Sequence, residues 1–415
     1  MAAFGGKAHD VFAPLLVLLC LCLPASAGPS LLVETATSKV ILQHRSGEPW
    51  YPASLTKLMT AYLTFKALRE GRLKPDQEIL ISWQAAMQPP SKIGIPPGGT
   101  ITVDLALQAL LVYSANDIAV ALAEAVSGNL PSFVVEMNKT ARAFDMTGTR
   151  FLNPHGLHDP NHVSTARDMA LLALRVHSGF PEHRHYFKQD HVALGKRKLL
   201  NRNALLRLMR EADGMKTGFV CAAGFNLAAT ATVNGKHLLA VVLGAANSRS
   251  RAQWAQHLLE LGASGGGANV TVAEIANATG EQQAPDLSEA VCGGRRGLDL
   301  KPATALSGHG VSLGRFAQRE EGLRVLRLWS DAGDSYLDNA SEGLFRLGPS
   351  KAYAAMVWDL DEGEARSLCA FLKERRSSCE VMRPEQLQTM AEQARAEAKR
   401  PVKKRSGKGK KRKKG

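Results

Sequence analysis

From about Ser30 to Gly262, short aliphatic runs alternate with longer stretches of helical spacing. Two β-branched and aliphatic runs flank Thr37–Ser38 in SLLVETATSKVILQH and predict a hairpin. SLTKLMTAYLTFKALREG reads as a helix that stops at Gly71. The apolar stretch ITVDLALQALLVYSANDIAVALAEAVSG predicts two helices broken between Tyr113 and Asn116. FNLAATATV and KHLLAVVLGA are continuous apolar runs, as expected of buried strands, and SRAQWAQHLLELG returns to a helical period ending in glycine. Strands at both ends with helices between them predict an α+β body, an antiparallel sheet covered by helices.

The pattern fades around Gly265 to Gly308, where Gly, Ala, Asn and Gln dominate, so residues 265–304 are expected to be a linker. Order returns over residues 305–384. GVSLGRFAQ, EGLFRLG, YAAMVWDLD and CEVMRP read as strands, with REEGLRVLRLWSDA and EGEARSLCAFLKERR as helices, giving a small βαββαβ unit. Beyond Gln386 come a polar helix candidate and a basic end, so residues 385–415 are expected to form a disordered tail.

Composition changes the picture at the termini. Lys7, the apolar run VFAPLLVLLCLCL and the A-x-A end at Ala25–Ala27 describe a secretory signal peptide over residues 1–27. The formal charge is +14, but residues 399–415 alone carry eleven Lys and Arg and no acid, leaving +3 for the rest. The basic character belongs to the tail. Two of the six cysteines leave with the signal. Cys221, Cys292, Cys369 and Cys379 remain in a compartment that permits disulfides. Four cysteines allow three full pairings. Cys369 on an apolar helix stripe and Cys379 at the start of the next strand favour a Cys369–Cys379 bond. Cys292 supplies the competing pairing, and Cys221 is expected as a buried, inert cysteine beside the site.

The candidate chemistry starts at YPASLTKLMT. Ser54 and Lys57 lie three residues apart, a spacing that brings both side chains to one helix face. A serine hydroxyl needs a base, and a lysine serves if burial or nearby positive charge keeps it neutral. Ser114-x-Asn116 follows at the predicted helix break, and Lys216-Thr217-Gly218 just ahead of a buried strand. S-x-x-K, S-x-N and K-T-G in this order form a three-part signature, here with Ala115 where the middle motif often has Asp.

With these motifs the segment from Ser30 to Gly262 resembles the D-alanyl-D-alanine carboxypeptidases, low-molecular-weight penicillin-binding proteins of the serine peptidase type. FLNPHGLHDPNHVSTARDMALLA, NRNALL before DGMKTGF, and VVLGAANSRSRAQWAQHLL extend the likeness. The resemblance implies a penicillin-binding-protein/β-lactamase-like fold with an added helical subdomain over residues 28–264. It implies that Ser54 is acylated, that Lys57 takes its proton, and that Ser114 relays a proton to the leaving amine. Asn116 would bind the substrate amide. Lys216 would hold the site positive and so lower the pKa of Lys57. Thr217 and Gly218 would present an edge strand, Gly218 leaving room for the substrate. The N–H groups of Ser54 and Phe219 would form the oxyanion hole, and Arg251 would bind the terminal carboxylate. No metal or organic cofactor is implied. The expected partners are peptidoglycan stem peptides and glycan strands, with β-lactams as inhibitors, in a periplasmic protein held peripherally at the inner membrane or wall.

Two other readings stay open. A serine β-lactamase of related fold needs a loop glutamate, and Asn153–Thr165 offers only Asp159. A non-catalytic penicillin- or wall-binding protein would not need the intact nucleophile and base. His155, His158 and His162 are expected in a structural loop, and the sequons at Asn269 and Asn277 as chance matches. The βαββαβ unit resembles a SPOR domain, which implies peptidoglycan binding. The tail, almost without apolar residues, would hold to anionic lipid electrostatically, each basic residue adding about 1 kcal/mol. Export argues against nucleic acid.

Overall fold

A computed structural model describes residues 28–398, with breaks at 90, 196, 264–266, 280–282, 294–307, 320, 323–324, 327–340, 348–351 and 375–377. The expected signal peptide and the Lys/Arg run lie outside the described residues. Five antiparallel strands form the main sheet: β1 (Ser30–Glu34), β2 (Val40–His44), β3 (Ala212–Val220), β4 (Gly224–Val233) and β5 (Lys236–Ala245), in the order β2-β1-β5-β4-β3. The predicted hairpin is β1–β2, in register Leu32↔Leu42.

Successive residues of a strand face opposite sides, so a strand covered on both faces is apolar throughout. On one side Leu32, Leu227, Ala229 and Ala240 meet α4 (Ser248–Ala263) through Ala252, Ala255 and Leu259. On the other, Leu31, Val33, Ala228 and Val241 meet the large helical core. That core surrounds α1 (Lys57–Arg69), which buries Leu58, Met59, Leu63 and Phe65, and it includes α2 (Asn116–Ser127) and α3 (Ala166–Gly179). A helix buried on almost every side can hold a charged residue away from water, and Lys57 is its first residue.

The segment expected as a linker is docked over most of its described length. Ala268 and Val272 donate backbone N–H groups to Val40 and Ser38, and Val270 accepts from Val40, so it lies along the β2 edge. Asn277 bonds Thr147, Thr165 and Asp168 through its side chain, and Cys292 is bonded to Cys221. Val272 is buried in the helical core and Val270, Ile275 and Leu287 pack against it, but these apolar positions follow no regular period, so periodicity missed the segment. Cys221 is therefore held in a disulfide, one of the pairings that the four cysteines left open.

The C-terminal unit has strands β6 (His309–Phe316), β7 (Ser341–Leu347), β8 (Ala352–Leu360) and β9 (Glu380–Met382), antiparallel in the order β7-β8-β6-β9. The helix expected between β6 and β7 falls largely outside the described residues. Helix α5 (Glu362–Glu374) packs Ala365 and Leu368 on one face, and the Cys369–Cys379 disulfide joins it to the approach to β9 as expected. The polar helix candidate beyond Gln386 is helix α6 (Pro384–Ala398), whose Leu387 is buried against Phe345 and Met356 on the other face. Met390 packs beside this leucine.

Candidate active site

Ser54 lies in a 3-10 turn, Ala53–Thr56, that runs directly into α1. Ala53, immediately before it, has φ +48°, a left-handed conformation seldom adopted outside glycine and typical of functional turns. Lys57 Nζ is wholly buried and makes three hydrogen-bond contacts: Ser54 Oγ at 2.8 Å, Asn116 Oδ1 at 2.7 Å and the His155 carbonyl at 2.8 Å. Burial lowers its pKa to about 7, against a smaller opposing pull from the Asp117 carboxylate.

A neutral amine has two N–H bonds and one lone pair. The Asn116 amide is oriented by its Nδ2, which donates to Pro89 O at 3.0 Å. Its Oδ1 and the His155 carbonyl can only accept, so they take both N–H bonds. The lone pair is left facing the Ser54 hydroxyl. This arrangement allows neutral Lys57 to take the serine proton.

The second serine sits where the helical stretch breaks. Ser114 has φ 67° after a π-turn at Ala109–Tyr113, and Asn116 opens α2. Lys216 Nζ donates to Ser114 Oγ at 2.9 Å and to Thr217 O at 2.9 Å. Its pKa is lowered well below the usual lysine value by burial, with Lys57, Arg251 and Arg202 adding repulsion. Lys57 and Lys216 repel one another, in keeping with the expected role of Lys216 in lowering Lys57, and burial is the first cause of the shift in both. Asp117 accepts from the backbone N–H groups of Ile93, Gly94 and Ile118, fixing the loop beside Asn116.

Edge strand β3 forms the third wall. A Cβ on Gly218 would lie 2.9 Å from Pro52 O and 3.1 Å from the nitrogens of Ser54 and Leu55. The missing side chain therefore seats the nucleophile turn against the strand, rather than making room for substrate as expected. Ser54, Ser114, Asn116, Thr217, Phe219 and Arg251 line one cleft of about 320 Å³ with Arg202, and among the described residues its lining contains no carboxylate. Arg251 Nη2 donates to Ser248 Oγ and Arg202 O, and its guanidinium lies 5.7 Å from the Phe225 ring centroid. The loop at 153–165 offers the cleft Gly156 and Leu157, whereas Asp159 accepts from the N–H of Asn161 in its own turn.

Sequence reasoning missed three residues that build this site. Asn226 is fully buried and donates to Tyr51 O and Pro52 O, while its Oδ1 accepts from Gly244 N–H. Trp50 Nε1 donates to Ala223 O at 2.9 Å. Both tie the segment ahead of Ser54 to the sheet, and a lone Asn inside FNLAATATV was the available signal. Arg202 stacks 4.6 Å over Tyr113 and had no signal beyond its neighbours. The loop histidines are structural, as expected. His162 Nδ1 accepts from Leu152 N–H, so its Nε2 carries the proton given to Thr56 Oγ1. Burial holds His155 near pKa 3 and therefore neutral. Among the described residues no His/Cys/Asp/Glu group is arranged for a metal.

A protein-family model described as D-alanyl-D-alanine carboxypeptidase matches residues 23–247. The chain is 36% identical over 242 residues to D-alanyl-D-alanine carboxypeptidase DacA of Haemophilus influenzae, covering 55% of this chain and 62% of that protein. It is 36% identical over 239 residues to DacC of Escherichia coli, covering 56% and 60% respectively. The match thus spans about three fifths of these curated relatives. Penicillin binding protein 5 from Haemophilus influenzae superposes with a TM-score of 0.55 at 34% identity, over 58% of this chain and 71% of that one. Penicillin-binding protein D2 from Listeria monocytogenes, in its cefotaxime-bound form, gives 0.53 at 29% identity, over 58% and 98%.

Proposed function

The chain belongs to the D-alanyl-D-alanine carboxypeptidase family, and from that premise we propose that it removes the terminal D-alanine from peptidoglycan stem peptides through an ester on Ser54. The observation that carries this reading is the Lys57 amine, 2.8 Å from Ser54 Oγ with its other two partners able only to accept. Ser54 attacks the carbonyl between the two D-alanines as its proton passes to Lys57. The oxyanion is held by the N–H groups of Ser54 and Phe219. Collapse breaks the C–N bond, and the leaving amine takes a proton through Ser114, which Lys216 orients. Water then attacks the ester and frees the shortened peptide. The carboxylate-free, arginine-bearing cleft suits a substrate ending in a carboxylate. Asn116 binds the substrate amide, and Thr217 and Phe219 offer a strand edge to an extended peptide.

With no acid among the described residues that line the cleft to activate a deacylating water, penicillin is released slowly, which separates this reading from a β-lactamase. The deciding experiment is D-alanine release from a stem-peptide mimic. No release by a protein that still takes up penicillin would favour a silent penicillin-binding protein.

The chain is read as an exported periplasmic protein with three further parts: the signal at residues 1–27, the basic end, and the C-terminal unit. The four-stranded sheet with α5 on one face supports a SPOR-like wall-binding unit. A chain ending after residue 293 should then bind sacculi less well than the whole protein, and unchanged binding would refute the assignment. The eleven charges of residues 399–415 support contact with anionic lipid, which should weaken steeply with salt because the screening length is about 10 Å at 0.1 M. Salt-insensitive binding would place the anchor elsewhere.

A further inference from the structure

The cleft has a cationic end and a covalently braced end. Arg202 lies over the Tyr113 ring, next to the Ser114 that Lys216 bonds, and Arg251 donates to Arg202 O, so the cationic end lies at the start of the K-T-G segment. Val220 and Cys221 line the cleft further along β3 and the turn after it. At about 3.3 Å per residue, Cys221 lies roughly 13 Å beyond Thr217. It is bonded to Cys292, 71 residues on. The strap that carries Cys292 lies on the same hairpin: Leu287 N–H donates to Ala222 O at 3.0 Å. Ala284 of the strap is buried with Tyr51, Ala53, Ala222 and Ala223. One strap therefore touches both the segment leading into Ser54 and the turn that ends the cleft, fixing the distance between nucleophile and end wall.

We propose that the Cys221–Cys292 bond positions Val220 and Cys221 as the wall that recognises the residue preceding the D-Ala-D-Ala pair of the donor peptide. The inference rests on the substrate orientation given above. With the terminal carboxylate at the arginines and the scissile carbonyl at Ser54, an extended donor advances about 3.3 Å per residue toward Cys221. The penultimate residue then lies beside Phe219, and the one before it reaches Val220 and Cys221. Cys292 touches no substrate and is a positioning residue; Val220 sets specificity.

The test compares acetyl-D-Ala-D-Ala with diacetyl-L-Lys-D-Ala-D-Ala as donors. Rates for the full-length Cys221→Ser/Cys292→Ser protein are counted per site that takes fluorescent penicillin. The longer donor should lose roughly tenfold in kcat/KM through KM, while the shorter stays within about twofold. Equal loss on both donors would make the bond merely structural, and no loss on either would remove the wall; both results overturn the proposal. Val220→Ala, which keeps the disulfide, should show the same selective loss and serves if the double variant does not fold. In a parallel arm, acylation of Ser54 by ampicillin should slow selectively against 6-aminopenicillanic acid, which lacks an acyl side chain. Absence of D-alanine release by the unaltered protein would count against the carboxypeptidase reading, and the acylation pair would then decide the wall alone.

Discussion

Asn116 Oδ1 lies 2.7 Å from Lys57 Nζ, and this contact decides which way the lysine lone pair points. Asn116→Asp keeps the shape but puts an anion against the amine. An adjacent opposite charge raises a lysine pKa by roughly 1–3 units, so acylation by penicillin at neutral pH should fall about tenfold to a thousandfold. The loss should recover at alkaline pH. A uniform loss at every pH would mean that Asn116 acts on the substrate and not on the base.

Burial brings Lys57 to about 7, so the rate of Ser54 acylation should climb with pH and level off above neutrality. Stability carries the same signature. The folded pKa lies below the unfolded one, so the unfolded chain binds more protons between about 7 and 10.5. The unfolding free energy should therefore gain from this group as pH rises through that window. Chemical denaturation at several pH values would reveal it as a difference between the unaltered protein and Lys57→Met, which lacks the group. Parallel stability profiles for the two proteins would contradict a neutral lysine.

Gly218→Ala tests what the glycine is for. Its Cβ would press on the backbone of Pro52 and Ser54, which cannot swing aside as a side chain could. Displacing the nucleophile by about 1 Å can cost on the order of a hundredfold. The loss should appear equally with large and small β-lactams. Loss confined to bulky ligands would restore the view that the glycine makes room for substrate.

Arg251→Ala should slow D-alanine release from a peptide with a free C-terminus, since a charge-assisted hydrogen bond contributes about 1.5–3 kcal/mol. An amidated peptide should be affected much less. Equal loss on both would assign Arg251 to holding Ser248 and the Arg202 carbonyl alone.

Much of this site was legible in the sequence because its chemistry uses few residue types at fixed spacings. Ser54, Lys57, Ser114 and Lys216 come together as the three motifs imply, and strands β4 and β5 and the break before Asn116 lie where the apolar pattern puts them. What was not legible depends on distant backbone. Asn226 pairs with Tyr51 and Pro52, some 175 residues away, which no local pattern encodes. The strap residues Val270, Val272, Ala284 and Cys292 dock at irregular intervals through backbone bonds, scattered apolar contacts and a disulfide, so they lack the periodicity that marks an element. Helix α6 was legible only as a polar helix candidate, because its anchor, Leu387, meets Phe345 and Met356 of distant strands.

Mass spectrometry of the intact protein during incubation with penicillin tests the central claim most directly. The account predicts one covalent adduct, mapped to Ser54, that persists for minutes or longer, and none on Ser54→Ala. An adduct on Ser54→Ala, or release from the unaltered protein within seconds, would contradict it.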